Sequence, residues 1–141
     1  MRKLFIDTSA FYSLEDKYDQ NHHQAIEFRE NVLVRERFTL FTSTYVLDET
    51  YTFLQKKLGK QIALTFGTHI QTSKIIEIVH VSKYYEKKAW DIFKKYLDKD
   101  FSYTDCPSFA IMEDLKITNA FTFDTHFQQK GFIILPHQLY I

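Results

Sequence analysis

The chain has 141 residues, with 18 basic and 18 acidic side chains, 45% apolar residues, 14 Phe and 9 Tyr, which suits a globular domain with an aromatic core. Zero net charge supplies no overall basic field for nucleic acid, and a lone cysteine, Cys106, excludes an intrachain disulfide or a cysteine zinc cluster. No segment nears the roughly 18 apolar residues of a membrane span, the first residues are no signal peptide, and three scattered glycines build no phosphate-cradling loop. One domain over residues 1–141, in the cytoplasm and away from membranes, is expected.

Leu4-Phe5-Ile6 is an apolar run that suits a strand covered on both faces, and it stops at Asp7-Thr8-Ser9. Thr8 to Leu14 reads as a short helix, and Tyr18 to about Arg35 as a second, polar one carrying His22 and His23 on its surface. Phe38 to Phe41 reads as a strand. Thr42-Ser43-Thr44 then offers caps for a helix ending at Leu58, with Gly59 as its stop. Its apolar stripe is Val46, Leu47, Phe53, Leu54 and Leu58, with Glu49 beside it and Asp48 turned outward.

Gln61 to Ser73 reads as a helix with Ile62, Phe66 and Ile70 on one face, and Ile75 to Val81 as a strand. Ser82 is placed to cap a helix from Lys83 to about Leu97, buried through Ala89, Phe93, Tyr96 and Leu97. Ser102-Tyr103-Thr104-Asp105 opens a helix through Leu115, Thr118 to Phe123 reads as a strand, Thr125 to Gln129 as a helical turn, and Phe132 to Leu135 as a last strand. Strands alternating with helices predict an α/β/α sandwich around a parallel sheet.

Four of the acids stand apart from the solvated helix faces. Asp7 and Asp124 end apolar strands, Asp105 opens a helix, and Glu49 lies beside an apolar stripe. Each has a plain reading. Asp7 and Asp124 can cap the helices that follow. Asp105 can close a capping box on the Ser102 amide, although Pro107 favours a helix start near Thr104 that leaves its carboxylate free. Glu49 can be a boundary residue. Together they point to one edge of a parallel sheet, where each close pair would repel by about 4 kcal/mol at 4 Å and an effective dielectric of 20. Such a set calls for a proton or a cation. Oxygen donors without cysteine suit Mg²⁺ or Mn²⁺ better than zinc, and the layout suits phosphodiester hydrolysis.

The ordered set Phe-Ile-Asp7-Thr-Ser, Leu-Asp-Glu49-Thr, Ser-Tyr-Thr-Asp105-Cys-Pro-Ser-Phe-Ala and Thr-Phe-Asp124-Thr-His-Phe closely resembles the PIN-domain nucleases, among them the VapC-like ribonuclease toxins. The resemblance runs from residue 3 to about 135. It implies a metal-dependent endoribonuclease with a PIN-like α/β/α sandwich, whose acidic positions are Asp7, Glu49, Asp105 and Asp124. Asp7 and Asp105 are the expected primary metal ligands. Thr8, Ser9 and Thr104 are the supporting hydroxyls, and the products would carry 5′-phosphate and 3′-hydroxyl ends. Lys56, Lys57 and Lys60 are candidate RNA contacts, with the Lys87, Lys88, Lys94 and Lys95 face as another. A toxin of this kind would have a small antitoxin protein as partner, and a homodimer is expected by the same resemblance.

Cys106 is expected to be a small buried residue and not a redox group; His126, two residues past Asp124, is near enough to touch substrate, but packing or exposure is the expectation. A dehalogenase-type phosphatase would want an acid at Ser9, and a receiver domain an acidic pair before its strand-end Asp, which the first strand lacks. The remaining rival is a PIN-like binding or assembly module without activity.

Overall fold

The computed structural model describes residues 2–136; Met1 and residues 137–141, counted in the single domain expected above, lie outside the described residues. The strands are β1 (Arg2–Ile6), β2 (Phe38–Ser43), β3 (Ile76–Val79), β4 (Asn119–Phe121) and β5 (Ile133–Leu135). They form one sheet in the order β3-β2-β1-β4-β5, every pairing parallel. The helices are α1 (Thr8–Glu15), α2 (His22–Phe28), α3 (Thr44–Leu58), α4 (Lys60–Thr72), α5 (Lys83–Lys95), α6 (Asp105–Asp114) and α7 (Thr125–Lys130).

β1 is central and paired on both sides, Phe5 against Phe41 of β2 and Ala120 of β4. Leu4, Phe5 and Ile6 are accordingly buried without alternation, the pattern of a strand covered on two faces. The chain builds outward through β2 and β3, then crosses back to β4, so the direction of winding reverses between β1 and β4. Open parallel sheets place their ligand crevice at this switch point, outside the carboxyl ends of the strands. Right-handed crossovers divide the helices into two layers. In one, α1 packs on α2 and α3, and α3 on α4; in the other, α6 packs on α5 and α7.

α6 is buried from Asp105 through Met112, so it is a core helix that meets solvent only at its last two residues, Glu113 and Asp114. Phe109 at its centre meets Phe127 at 5.0 Å and Phe101 at 5.1 Å. This packing fixes the end of α6 that carries Asp105. Gly131, at φ 114, closes α7 in a backbone conformation that side-chain-bearing residues avoid.

Several local expectations shift. The helix expected over Tyr18–Arg35 begins only at His22 and passes into a π-helical turn over Arg29–Leu33. Before it, the Asp19 carboxylate accepts from Asn21 N and Ser13 Oγ, both at 2.9 Å, and holds a turn where helix was expected. α5 buries Ala89 but leaves Phe93 exposed, and it stops at Lys95, where Tyr96 leaves helical geometry, so Leu97 falls in an exposed turn beyond the expected helix. Ile62 is exposed as well.

Candidate active site

Each acid is delivered by a different part of the fold. Asp7 follows β1, and its N–H extends the ladder by bonding Phe121 O at 3.1 Å. It occupies the N-cap position of α1 yet makes no side-chain cap bond, which leaves its carboxylate for other partners. Glu49 projects from the second turn of α3, a helix whose start is fixed by Ser43 Oγ accepting from Val46 N at 3.1 Å. Asp105 is the first residue of α6, and Pro107 falls in the first turn, where a missing N–H costs no helical bond. Asp124 follows β4 and does cap α7, accepting from His126 N at 2.9 Å. The four carboxylates line one cleft of about 320 Å³, joined by Tyr12 and Asp19. No Lys or Arg among the described residues lines it.

The hydroxyls expected to support the acids separate into two groups. Ser9 Oγ donates to Asp7 Oδ2 at 3.1 Å and accepts from Phe123 N at 2.9 Å. Thr8 is buried at the cleft with Oγ1 directed at Val46 O, 3.5 Å away, tying α1 to α3. Thr104 is exposed on the rim, makes no cap bond, and lines a neighbouring groove with Lys56 and Lys57. Lys60 lies elsewhere, in the groove between α3 and α4.

Two further residues stand at the site, Thr122, which the sequence did not single out, and His126, whose place differs from the expectation. Thr122, fully buried, donates from Oγ1 to Asp7 Oδ2 at 2.9 Å and accepts from Asp124 N at 3.0 Å, so it links two strand-end acids. Its signal was a polar residue between two Phe at a strand end, read there only as part of an apolar run. His126, expected to pack or face solvent, donates from Nδ1 to Asp105 Oδ2 at 2.9 Å and lies 3.4 Å from Asp124 Oδ1. Asp105 is therefore not free, since Oδ2 also accepts from Ser102 N at 3.1 Å, half of the capping box. Ligand atoms of Asp105, Asp124 and His126 lie within 4.8 Å of one another.

The electrostatics follow from burial and crowding. Burial pushes the Asp7 carboxyl from its ordinary 3.8 up to about 6; Asp124 and Glu49 add to the rise, and hydrogen bonds from Thr122 and the Thr8 backbone oppose it. Asp105 is also raised, by burial first and by Asp124 second, against the pull of His126 and the Ser102 amide. Burial pushes the Cys106 thiol to about 11, which fits an inert core residue beside Asp105. Glu49 accepts no hydrogen bond from another described residue. Crowded carboxylates, one of them bond-free, with oxygen donors and one imidazole are a donor set suited to a hard divalent cation.

Comparison with known proteins gives a consistent picture. The chain is 30% identical over 130 residues to the 23S rRNA-specific endonuclease VapC20 of Mycobacterium tuberculosis, covering 92% of this chain and 95% of that protein. It is 30% identical over 123 residues to a VapC ribonuclease of Archaeoglobus fulgidus, covering 86% and 77%. The crystal structure of M. tuberculosis VapC20, a sarcin–ricin loop cleaving toxin, matches at a TM-score of 0.84 and 29% identity over 92% of this chain and 96% of that one. VapBC2 of Rickettsia felis, bound to a DNA fragment from its promoter, shares the fold at a TM-score of 0.66 and 14% identity, covering 94% and 96%. The PIN domain family model matches residues 4–133. The chain belongs to the PIN-domain family.

Proposed function

We propose that this protein is a divalent-metal-dependent endoribonuclease, the toxin of a toxin–antitoxin pair, acting in the cytoplasm. The observation that carries the reading is the convergence of Asp7, Glu49, Asp105 and Asp124 on one cleft at the switch point, with no Lys or Arg lining it among the described residues. Asp7 and Asp105 would be the principal holders of Mg²⁺ or Mn²⁺, with Glu49 and Asp124 completing the oxygen set and His126 within reach. Bound there, the cation supplies Lewis acidity toward a phosphodiester and offsets the negative charge that develops during hydrolysis.

The chain's own groups do the positioning. Thr122 and Ser9 fix the Asp7 carboxylate, and the α7 amide that Asp124 caps fixes Asp124 in turn. His126 gives Asp105 a hydrogen bond that offsets part of its burial. Lys56 and Lys57 border a groove that shares Glu49 and Phe53 with the acidic cleft, a route by which a polyanion can approach an acidic centre. Ribosomal RNA is the substrate class its curated relatives suggest, with 5′-phosphate and 3′-hydroxyl products. An antitoxin protein and a second copy of the chain are the expected partners.

The test is cleavage of single-stranded RNA and of ribosomal RNA with Mn²⁺ or Mg²⁺, comparing wild type with Asp7→Asn. Cutting that needs the metal and disappears in Asp7→Asn supports the proposal. Equal cutting by both proteins marks a contaminating activity and removes the support for this cleft, and thermal stability unmoved by Mn²⁺ together with no cutting refutes the proposal in favour of a binding module.

A further inference from the structure

Helix α5 places Lys83, Lys87, Trp90 and Lys94 at spacings of four, three and four, which is one stripe of a helix, and all four are exposed. Trp90, the only tryptophan of the chain, keeps 51% of its surface in water. Its ring stands 5.7 Å from Phe93 and 6.2 Å from Tyr103, and Phe93 meets Tyr103 edge-on at 5.6 Å. Three rings therefore brace one another while presenting an open aromatic surface between lysines one turn above and one turn below. Among the described residues Lys94 is engaged by an exposed pair with Asp91 at 3.7 Å, which costs little to break.

The position of this surface gives it a use. Tyr103 adjoins Thr104, which lines a groove of about 410 Å³ with Lys56 and Lys57, and that groove shares Glu49 and Phe53 with the acidic cleft. Rings, a groove lined by Lys56 and Lys57 with Asp48 and Glu49 among them, and the carboxylates of the cleft thus follow one another toward the site. We propose that Trp90, braced by Phe93 and Tyr103, is a stacking platform for an unpaired base of the RNA, with Lys87 and Lys94 on the neighbouring phosphates. This rests on the nuclease reading of the cleft and narrows it, since a paired base has no free face to offer while loops and single strands do. A two-fold contact between copies centred on Trp90 is disfavoured, because it would set each lysine stripe against its own image.

The experiment titrates a mixed-sequence single-stranded RNA into the protein in EDTA, reading the fluorescence of Trp90. Quenching by single-stranded RNA, absent with the corresponding duplex, is expected. Trp90→Ala, checked for an unchanged melting temperature, should weaken binding of fluorescein-labelled RNA by roughly 5- to 150-fold, the range of one lost base stack, while Trp90→Phe keeps most of it. Lys87→Ala and Lys94→Ala should each lower the salt slope of log K by about 0.7. Binding without quenching, or equal affinity in Trp90→Ala, overturns the platform. So does a tryptophan signal that changes with protein concentration alone, which marks a contact between copies. Metal-dependent cleavage that persists beside a silent Trp90 sinks the platform and leaves the nuclease standing. Quenching and a Trp90→Ala loss without any cleavage do the reverse.

Discussion

Replacing Asp7 by Asn should stabilise the metal-free protein while removing its activity. Asp7 is 8% exposed, and burial lifts its carboxyl from 3.8 to about 6, with Asp124 and Glu49 adding to the rise. A folded-state value above the unfolded one means that this group favours folding fully below about pH 4. That contribution is lost as pH rises through about 6. The rise from 3.8 to about 6 corresponds to about 3 kcal/mol withdrawn by pH 8. Asn keeps the size, can still accept from Thr122 and Ser9, and carries no charge. In EDTA at pH 8 the variant should melt roughly 6–12 °C above wild type, taking 2–4 °C per kcal/mol for a chain of this size. The gap should close by about pH 4. Added Mn²⁺ should raise the wild type by about 2.7 kcal/mol at a hundredfold excess over its dissociation constant, and leave the variant unmoved. Thermal melts by circular dichroism across pH, with and without metal, decide the matter. A variant destabilised equally at both pH values would refute the reasoning, since Asp7 would then be a structural hydrogen-bonding group and not a suppressed charge.

Other outcomes follow from the same geometry. Thr122→Val removes a donor to Asp7 and leaves Asp124 N without its acceptor, so urea unfolding at pH 8 should show a loss of about 1.5–3 kcal/mol that shrinks at pH 5, where Asp7 is largely neutral. His126→Gln takes from Asp105 a group that lowers its pKa, so Mn²⁺ affinity measured by calorimetry should fall roughly 10- to 100-fold, more at pH 6 than at pH 8. Phe109→Ala empties a fully buried position in α6 between Phe101 and Phe127, and urea titration should record a loss of about 3–5 kcal/mol.

Much of the frame was legible in the residues. Leu4-Phe5-Ile6 suited a strand covered on both faces, Ser43 and Gly59 marked the limits of α3, and four acids stood apart from the solvated helix faces. These are local signals: periodicity, caps and breakers act over a few residues, and so does a strand that ends on a carboxylate. The same locality explains the misreadings. Whether Phe93 is covered depends on what packs against α5, which no periodicity in α5 records, and the break at Tyr96 takes Leu97 out of the helix altogether. Asp105 was expected to be free because Pro107 fixes where its helix begins, yet its oxygen is taken by the Ser102 amide and by an imidazole from another helix.

The sequence by itself determined the alternating parallel architecture and the order of the four acids, since both follow from short-range patterning. Only the tertiary structure decided that those acids share a cleft, that Thr122 reaches Asp7 across 115 residues, and that His126 stands between Asp105 and Asp124. The physical reason is the crossover that sets β4 beside β1. It makes neighbours of side chains at opposite ends of the chain, and their hydrogen bonds and shared burial exist only once the sheet has closed around that pairing.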